Sequence, residues 1–388
     1  MITRRRAANR ASSILFAGFI LTGIVNTLLG PVLPWLAMRW SLSDAAAGLL
    51  FSVQFAGGLA GGFVSGAIAS RAGAGRTMGA GHLMMALGLA AVAAGGFHAG
   101  IAGMALSGVG LGFVIPTTNL MAARLEPEHA AASLGAVNLC WGFGAAIWPL
   151  LVATFTARGG LAIGVAVVSV ALAAMSVVTS RAAFPSSQHP AHAPSTGRAG
   201  GFVRLALFGA CIALYSGTEA AFGGWITEYA RRLAGGAASG GWEFAATTFW
   251  GGLTAGRAAV AVGLAGHHEK VAMFSGLAVV AAAIVIVVLT PSVSVLLVVA
   301  ALCGVGLAPI FPVTVAALSR EFSTGAAGPM VALGSLGAGT LPLVVGAISD
   351  RTGSLTIGLA ALLVSVAMVA GMETVVSRSS SIVGRRLI

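Results

Sequence analysis

The sequence predicts an all-α membrane protein: twelve transmembrane helices in two pseudo-symmetric six-helix bundles. Three observations predict it. First, 57% of the 388 residues are hydrophobic and only 8% are charged, whereas a soluble domain carries about 25% charged residues. A water-soluble globule of this length has too few charges here to cover its surface. Second, apolar runs of membrane-crossing length, about 20 residues, recur twelve times. Third, the second half of the chain repeats motifs of the first at a nearly constant offset. Disorder is excluded by the apolar content, and collagen by the lack of a G-X-Y period despite 56 glycines.

Taken in order, the spans fall near residues 13–35, 46–70, 76–96, 100–123, 131–154 and 160–182, then 205–228, 243–264, 270–290, 293–317, 325–349 and 354–376. None alternates with period two, so helices are predicted rather than a closed barrel. Arg4, Arg5, Arg6 and Arg10 precede the first run without a small-residue cleavage site, which reads as an uncleaved first helix. The Pro-, Ser-, Gly- and His-rich stretch from Phe184 to Gly201 reads as a cytoplasmic linker. The expected organisation is a bundle over 1–182, a linker over 183–204, and a bundle with a short tail over 205–388. With both termini inside, fifteen of the 21 basic residues fall in inner segments and five in outer loops, with Arg257 left within a span. The positive-inside rule then places both termini in the cytoplasm, and a multi-pass protein of a prokaryotic cytoplasmic membrane is expected. The net charge of +11 sits at span ends, which predicts contact with anionic lipid and no nucleic-acid partner. Cys140, Cys211 and Cys303 lie in apolar runs and are expected to pack rather than to bridge.

The duplication is specific. Gly144-Ala-Ala-Ile-Trp-Pro149 matches Gly337-Ala-Gly-Thr-Leu-Pro342, and Arg158 matches Arg351, both 193 residues apart. Gly108-Val-Gly-Leu and Pro116 match Gly304-Val-Gly-Leu and Pro312 at 196, and Gly57-Gly-Leu matches Gly251-Gly-Leu at 194. Two halves of like topology around a midplane site are the plan of a secondary transporter. Gly58, Gly62 and Gly66, and likewise Gly252 and Gly256, recur every four residues, a spacing that lets helix backbones approach.

Twelve spans, paired halves and a central linker resemble the major facilitator superfamily. Its inner-loop signature is partly present as Gly66-Ala-Ile-Ala-Ser70-Arg71-Ala-Gly73-Ala-Gly75-Arg76, with Ser70 where the family carries aspartate. The resemblance assigns a gating role to Arg71 and Arg76. Four segments look like the branch of fucose permeases and sodium-dependent-glucose-transporter-like sugar carriers: Asn138-Leu-Cys-Trp-Gly-Phe-Gly, Tyr215-Ser-Gly-Thr-Glu219 through Tyr229, Phe249-Trp250 through Arg257, and Ile310-Phe-Pro312. Where that carrier has carboxylates in its first and fourth helices, this chain has Asn26 and Asn119, so proton coupling through the first half does not carry over.

Of ten acidic residues, Glu219 alone lies deep in a span. A carboxylate in hydrocarbon costs at least a few kcal/mol, so it is expected to face a cavity and to bind substrate or respond to the coupling ion. Counting helix rise puts Glu219 and Arg257 at heights about 10 Å apart, which predicts no direct contact; Arg257 is then a snorkelling or gating residue. Substrate contacts are expected from Asn26, Gln54, Asn119, Asn138, Trp141, Tyr215, Glu219 and Trp250: amides take hydroxyls and indole rings pack on sugar faces. Trp35, Trp40, Trp225 and Trp242 are expected to anchor at the outer interface. His82 is expected in a surface role, and Pro116, Pro149, Pro312 and Pro342 at helix kinks.

No P-loop, HExxH or zinc spacing occurs, and Gly108-Val-Gly-Leu-Gly-Phe lies inside an apolar run instead of a strand–helix turn. Neither enzyme, cofactor nor metal is expected. The expected function is a monomeric carrier of a small neutral polar solute, sugar-like, with H+ or Na+ as coupling ion. A proton-coupled drug or metabolite antiporter is the alternative: Gly135 and Gly144 fit its fifth-span glycine pattern, while Trp148-Pro149 and Val152-Ala153 depart from it.

Overall fold

A computed structural model describes residues 2–184, 201–236, 240–264 and 269–385. Most of the expected linker, residues 185–200 with Arg198, lies outside the described residues, as does Arg386. Among the described residues the chain is helical and without strands.

The first half comprises α1 (Ile2–Thr27), α2 (Leu29–Trp40), α3 (Asp44–Ala72), α4 (Ala74–Ala94), α5 (Phe97–Leu125), α6 (Ala130–Ala157) and α7 (Leu161–Arg181). The second comprises α8 (Phe202–Leu233), α9 (Ala245–Ala259), α10 (Glu269–Leu289), α11 (Val293–Leu307), α12 (Ile310–Glu321), α13 (Thr324–Thr352), α14 (Leu355–Ala360) and α15 (Leu362–Arg385). Eleven helical stretches are long and apolar enough to cross a membrane. The remaining crossing is α9, which begins after a short turn at Trp242–Phe244 and runs on as a widened turn, Val260–Leu264, interrupted by Gly263 at φ +95°. The end of the molecule that carries the α3–α4 turn is its proximal end, and the opposite one its distal end.

Three expected spans are broken, and proline accounts for two of the breaks. Pro31 has no N–H to give the Thr27 carbonyl, and the first crossing divides at Leu28 into α1 and α2. Pro309 and Pro312 likewise divide the tenth crossing into α11 and α12. The twelfth divides at Ala361 between α14 and α15. The loosened turn at Leu28 is stabilised from the side, where Trp148 Nε1 donates to its carbonyl at 3.3 Å.

The duplication is visible in the packing. A Cβ on Gly144 of α6 would lie 2.0 Å from the Ile20 carbonyl oxygen of α1, and one on Gly337 of α13 would lie 1.7 Å from the Ala213 carbonyl of α8. Donor and target positions are both shifted by 193 residues. Only glycine permits backbones this close. On α3 the seam is made not by the expected stripe, of which Gly58 would bring a Cβ no nearer than 3.6 Å to the Gly108 carbonyl, but by its neighbours. Gly57 and Gly61 press on the backbone of α5, but Gly62 and Gly66 would present a Cβ to open space.

The halves meet along α3 with α13, α6 with α9, and α2 with α8. α3 and α13 touch only in their distal parts: Gly48 abuts the Pro342–Leu343 backbone, and Ser52 Oγ donates to the Gly339 carbonyl at 2.6 Å. Toward the proximal end Gly62, Gly66 and Gly328 have nothing within 4 Å of a built Cβ. The helices therefore diverge, and a cavity lies between them.

Candidate functional site

The cavity measures about 700 Å³ and is walled by residues from both halves. Its polar wall groups include Asn26 and Thr27 of α1, Gln54 of α3, Ser216 and Glu219 of α8, Trp250 of α9 and Ser335 of α13. Phe51, Phe55, Leu59 and Phe63 of α3 add an apolar strip to the wall, four residues apart and therefore on one helix face.

Glu219 sits one helical turn beyond Tyr215, which brings the two side chains together on α8. The Tyr215 hydroxyl donates to Glu219 Oε2. Arg257 Nη2, reaching from α9, donates to the same oxygen at 2.8 Å and approaches the Tyr215 hydroxyl at 3.2 Å. The expectation of no contact is thus corrected. Helix rise measures backbone height, but arginine's long, bendable stem carries its guanidinium well away from its own Cα. Glu219 is 15% exposed and Arg257 31%, so the pair is neither sealed nor fully solvated. Two intramembrane charges cancel each other, which lowers the cost of keeping either there. Arg257 also stacks 5.7 Å from the Trp141 ring centroid, linking α9 to α6 of the other half. Trp141 meets Trp250 edge-on, with centroids 6.0 Å apart.

Of the eight residues expected to contact substrate, Asn26, Gln54, Glu219 and Trp250 line the cavity. Gln54 is fixed by Nε2 donating to the Val25 carbonyl at 3.0 Å, while its Oε1 is buried without a hydrogen-bond partner, as is Trp250 Nε1. Tyr215 and Trp141 are outside the wall but touch its charged pair. Asn119 and Asn138 lie elsewhere. Asn138 Nδ2 donates to Asn119 Oδ1 at 3.2 Å and ties α6 to α5. Arg71 and Arg76 are exposed at the proximal turn between α3 and α4 and form no ion pair among the described residues.

Two further expectations are corrected. Trp225 is buried rather than interfacial, because α8 packs at the seam between halves, where its Nε1 donates to the Pro342 carbonyl at 2.9 Å. His82 is buried within the first half, its ring against Gly18 of α1, since glycine leaves room there for an imidazole.

Sequence reasoning missed the distal cluster of Asp44, Glu228, Arg231, Arg232, Ser349 and Asp350. A signal was present: Glu228 precedes Arg231 and Arg232 by three and four residues, the helix spacing for ion pairs. It missed the apolar strip as well, although its four-residue spacing is written in α3.

Residues 15–328 match the family described as Major Facilitator Superfamily. No curated protein matches the chain. Among solved structures, the chain is similar to a bacterial homologue of the human lysosomal transporter Spinster. In that protein's inward-facing, occupied conformation the TM-score is 0.71 at 13% identity, with 97% of each chain covered. In its inward-facing, unoccupied conformation the TM-score is 0.61 at 17% identity, covering 96% of this chain and 95% of that one. A mutant of the nucleoside transporter NupG gives a TM-score of 0.71 at 13% identity, covering 96% and 98%. At these identities the likeness is one of fold.

Proposed function

The chain belongs to the major facilitator superfamily of secondary transporters, and on that premise we propose that it carries a small neutral polyhydroxylated solute, a sugar or close analogue, by alternating access. The observation that carries this reading is the neutralised charge of the wall. Glu219 is the acid of the cavity lining, and Arg257 cancels it at 2.8 Å. A charged solute would have to break that pair or be left without a counter-charge in a medium of low dielectric. A hydroxylated one needs only acceptors and donors, which Asn26, Gln54 and Glu219 supply, and a ring face, which Trp250 supplies. Glu219 is the group through which H+ or Na+ would act.

The test is a thermal-shift screen of the purified protein against pentoses, hexoses and polyols, with and without sodium and across pH. A ligand of the native state raises its apparent stability. Stabilisation by one sugar class, followed by counterflow of that sugar in proteoliposomes, is the expected result. The apolar strip of Phe51, Phe55, Leu59 and Phe63 supports a second reading, a proton-coupled antiporter of an amphipathic drug or metabolite. Stabilisation by amphipathic cations with no response to any sugar would select it.

A further inference from the structure

We propose that Asp44, Arg232 and Asp350 form an electrostatic latch that holds the distal end shut and yields to the salt content of the distal medium. Asp44 opens α3, in the first half. Its carboxylate takes both terminal nitrogens of Arg232, the last arginine of α8, and the hydroxyl of Ser349 on α13. Asp350, also on α13, returns the contact: its two carboxylate oxygens accept the α3 backbone N–H groups of Asp44 and Ala45 at 2.8 and 2.9 Å. A carboxylate from one half thus caps a helix start in the other, where unpaired N–H groups and the helix dipole attract negative charge.

The latch is built to release. Arg232 Nε donates to Glu228 Oε1 at 2.7 Å, and Glu228 is also gripped by Arg231 at 2.8 and 2.9 Å. Glu228 is 2% exposed and belongs to the same helix as both arginines. When Asp44 moves away, Arg232 keeps Glu228 and no buried charge is orphaned. The groups that part lie nearer water than Glu228: Arg232 is 38% exposed and Asp44 13%, Asp44 gains the distal medium as it leaves, and the amides freed on α3 lie at the rim. Exposed pairs are weakened by salt, because the Debye length shortens from about 10 Å at 0.1 M to about 3 Å at 1 M. The buried Glu228–Arg231 pair is screened much less. Rising ionic strength therefore loosens the contact between halves before the one within α8.

The inference rests on alternating access but not on the identity of the solute, so a failed sugar screen would leave it standing. It is tested on the full chain in lipid nanodiscs, with spin labels at His98→Cys and Thr352→Cys in a Cys140→Ser background; Cys211 and Cys303 are buried. Wild-type protein at low salt should give one short distance between the distal ends. Asp44→Asn should raise the population with a longer distance about tenfold, equivalent to about 1.4 kcal/mol. Arg232→Gln should do the same, and the double variant no more than either alone, since two partners of one contact are not additive. Moving wild-type protein from 0.05 to 1 M KCl should give the same shift, with little further effect on Asp44→Asn. Asp44→Glu, which keeps the charge, should stay near wild type and shows that the site tolerates substitution. Distances in Asp44→Asn and in high salt that match low-salt wild type would overturn the latch, as would additive effects of the two single variants.

Discussion

Glu219 shows how much one side chain's neighbours decide. Two donors hold Oε2, the Tyr215 hydroxyl and the Arg257 guanidinium, while Oε1 takes no protein hydrogen bond among the described residues and is left for solute or water. Glu219→Gln removes the charge and keeps the shape. It is expected to abolish gradient-driven accumulation in proteoliposomes while counterflow survives; accumulation at the wild-type rate would remove Glu219 from coupling. Arg257→Met strands the carboxylate in a site of low dielectric. Loss of one partner from a buried pair costs about 3–5 kcal/mol, somewhat less here because the pair is partly exposed. A lowered melting temperature is expected, largely restored in the Glu219→Gln, Arg257→Met double variant. Trp250→Ala should weaken ligand binding more than it lowers stability, read as a change in dissociation constant against a change in melting temperature. The acid was legible in the sequence because a lone carboxylate in a long apolar run is rare. Its partner was not, because side-chain reach is invisible to an axial count.

Among the elements, proline and glycine act in opposite ways on the same helices. Proline opens the first and tenth crossings, and each break frees backbone groups that must find partners. In the first half an indole on α6 serves the Leu28 carbonyl of the broken crossing. In the second half an indole on α8 also donates to a backbone carbonyl, that of Pro342, but on the unbroken helix α13. The crossings that supply and receive the indole exchange roles between the repeats. Trp148→Phe removes one of two donors to the Leu28 carbonyl, the other being the Val32 N–H at 3.4 Å, and should lower stability by about 0.5–1.5 kcal/mol, seen as an earlier thermal transition. Glycine closes the contacts. Gly337→Val places a branched side chain where even a Cβ would lie 1.7 Å from the Ala213 carbonyl, whereas Gly66→Val faces open space. The first is expected to unfold at markedly lower temperature, and the second to melt near wild type. Equal effects of the two would contradict the packing described. The sequence marked these glycines by their repeat but not by their direction. It therefore misjudged which of the α3 glycines seal against α5.

At the scale of the whole molecule, the halves are shut distally and α3 and α13 stand apart proximally, so the cavity opens toward the end that carries the α3–α4 turn. That end is the cytoplasmic one if the arginine asymmetry of the sequence sets orientation. Cysteines at Ser52 and Gly339 should lock the distal seam. The Ser52 hydroxyl already touches the Gly339 carbonyl at 2.6 Å, and a Cβ at 339 would stand 3.5 Å from the Ser52 Cα. Oxidation is expected to stop transport and a reducing agent to restore it; unchanged flux after full cross-linking would exclude opening of this seam from the cycle.

By itself the sequence determined what depends on local chemistry and on repetition. Hydrocarbon admits only long apolar helices here, so the spans follow from composition. The matched glycines and prolines declare the duplication, and scarcity of charge singles out Glu219. Only the tertiary structure decided which side chains meet across helices: Arg257 with Glu219, Trp141 with Trp250, Asp44 with Arg232. Those meetings depend on helix tilt, rotation and the reach of flexible side chains, and none of these leaves a period or a spacing along the chain.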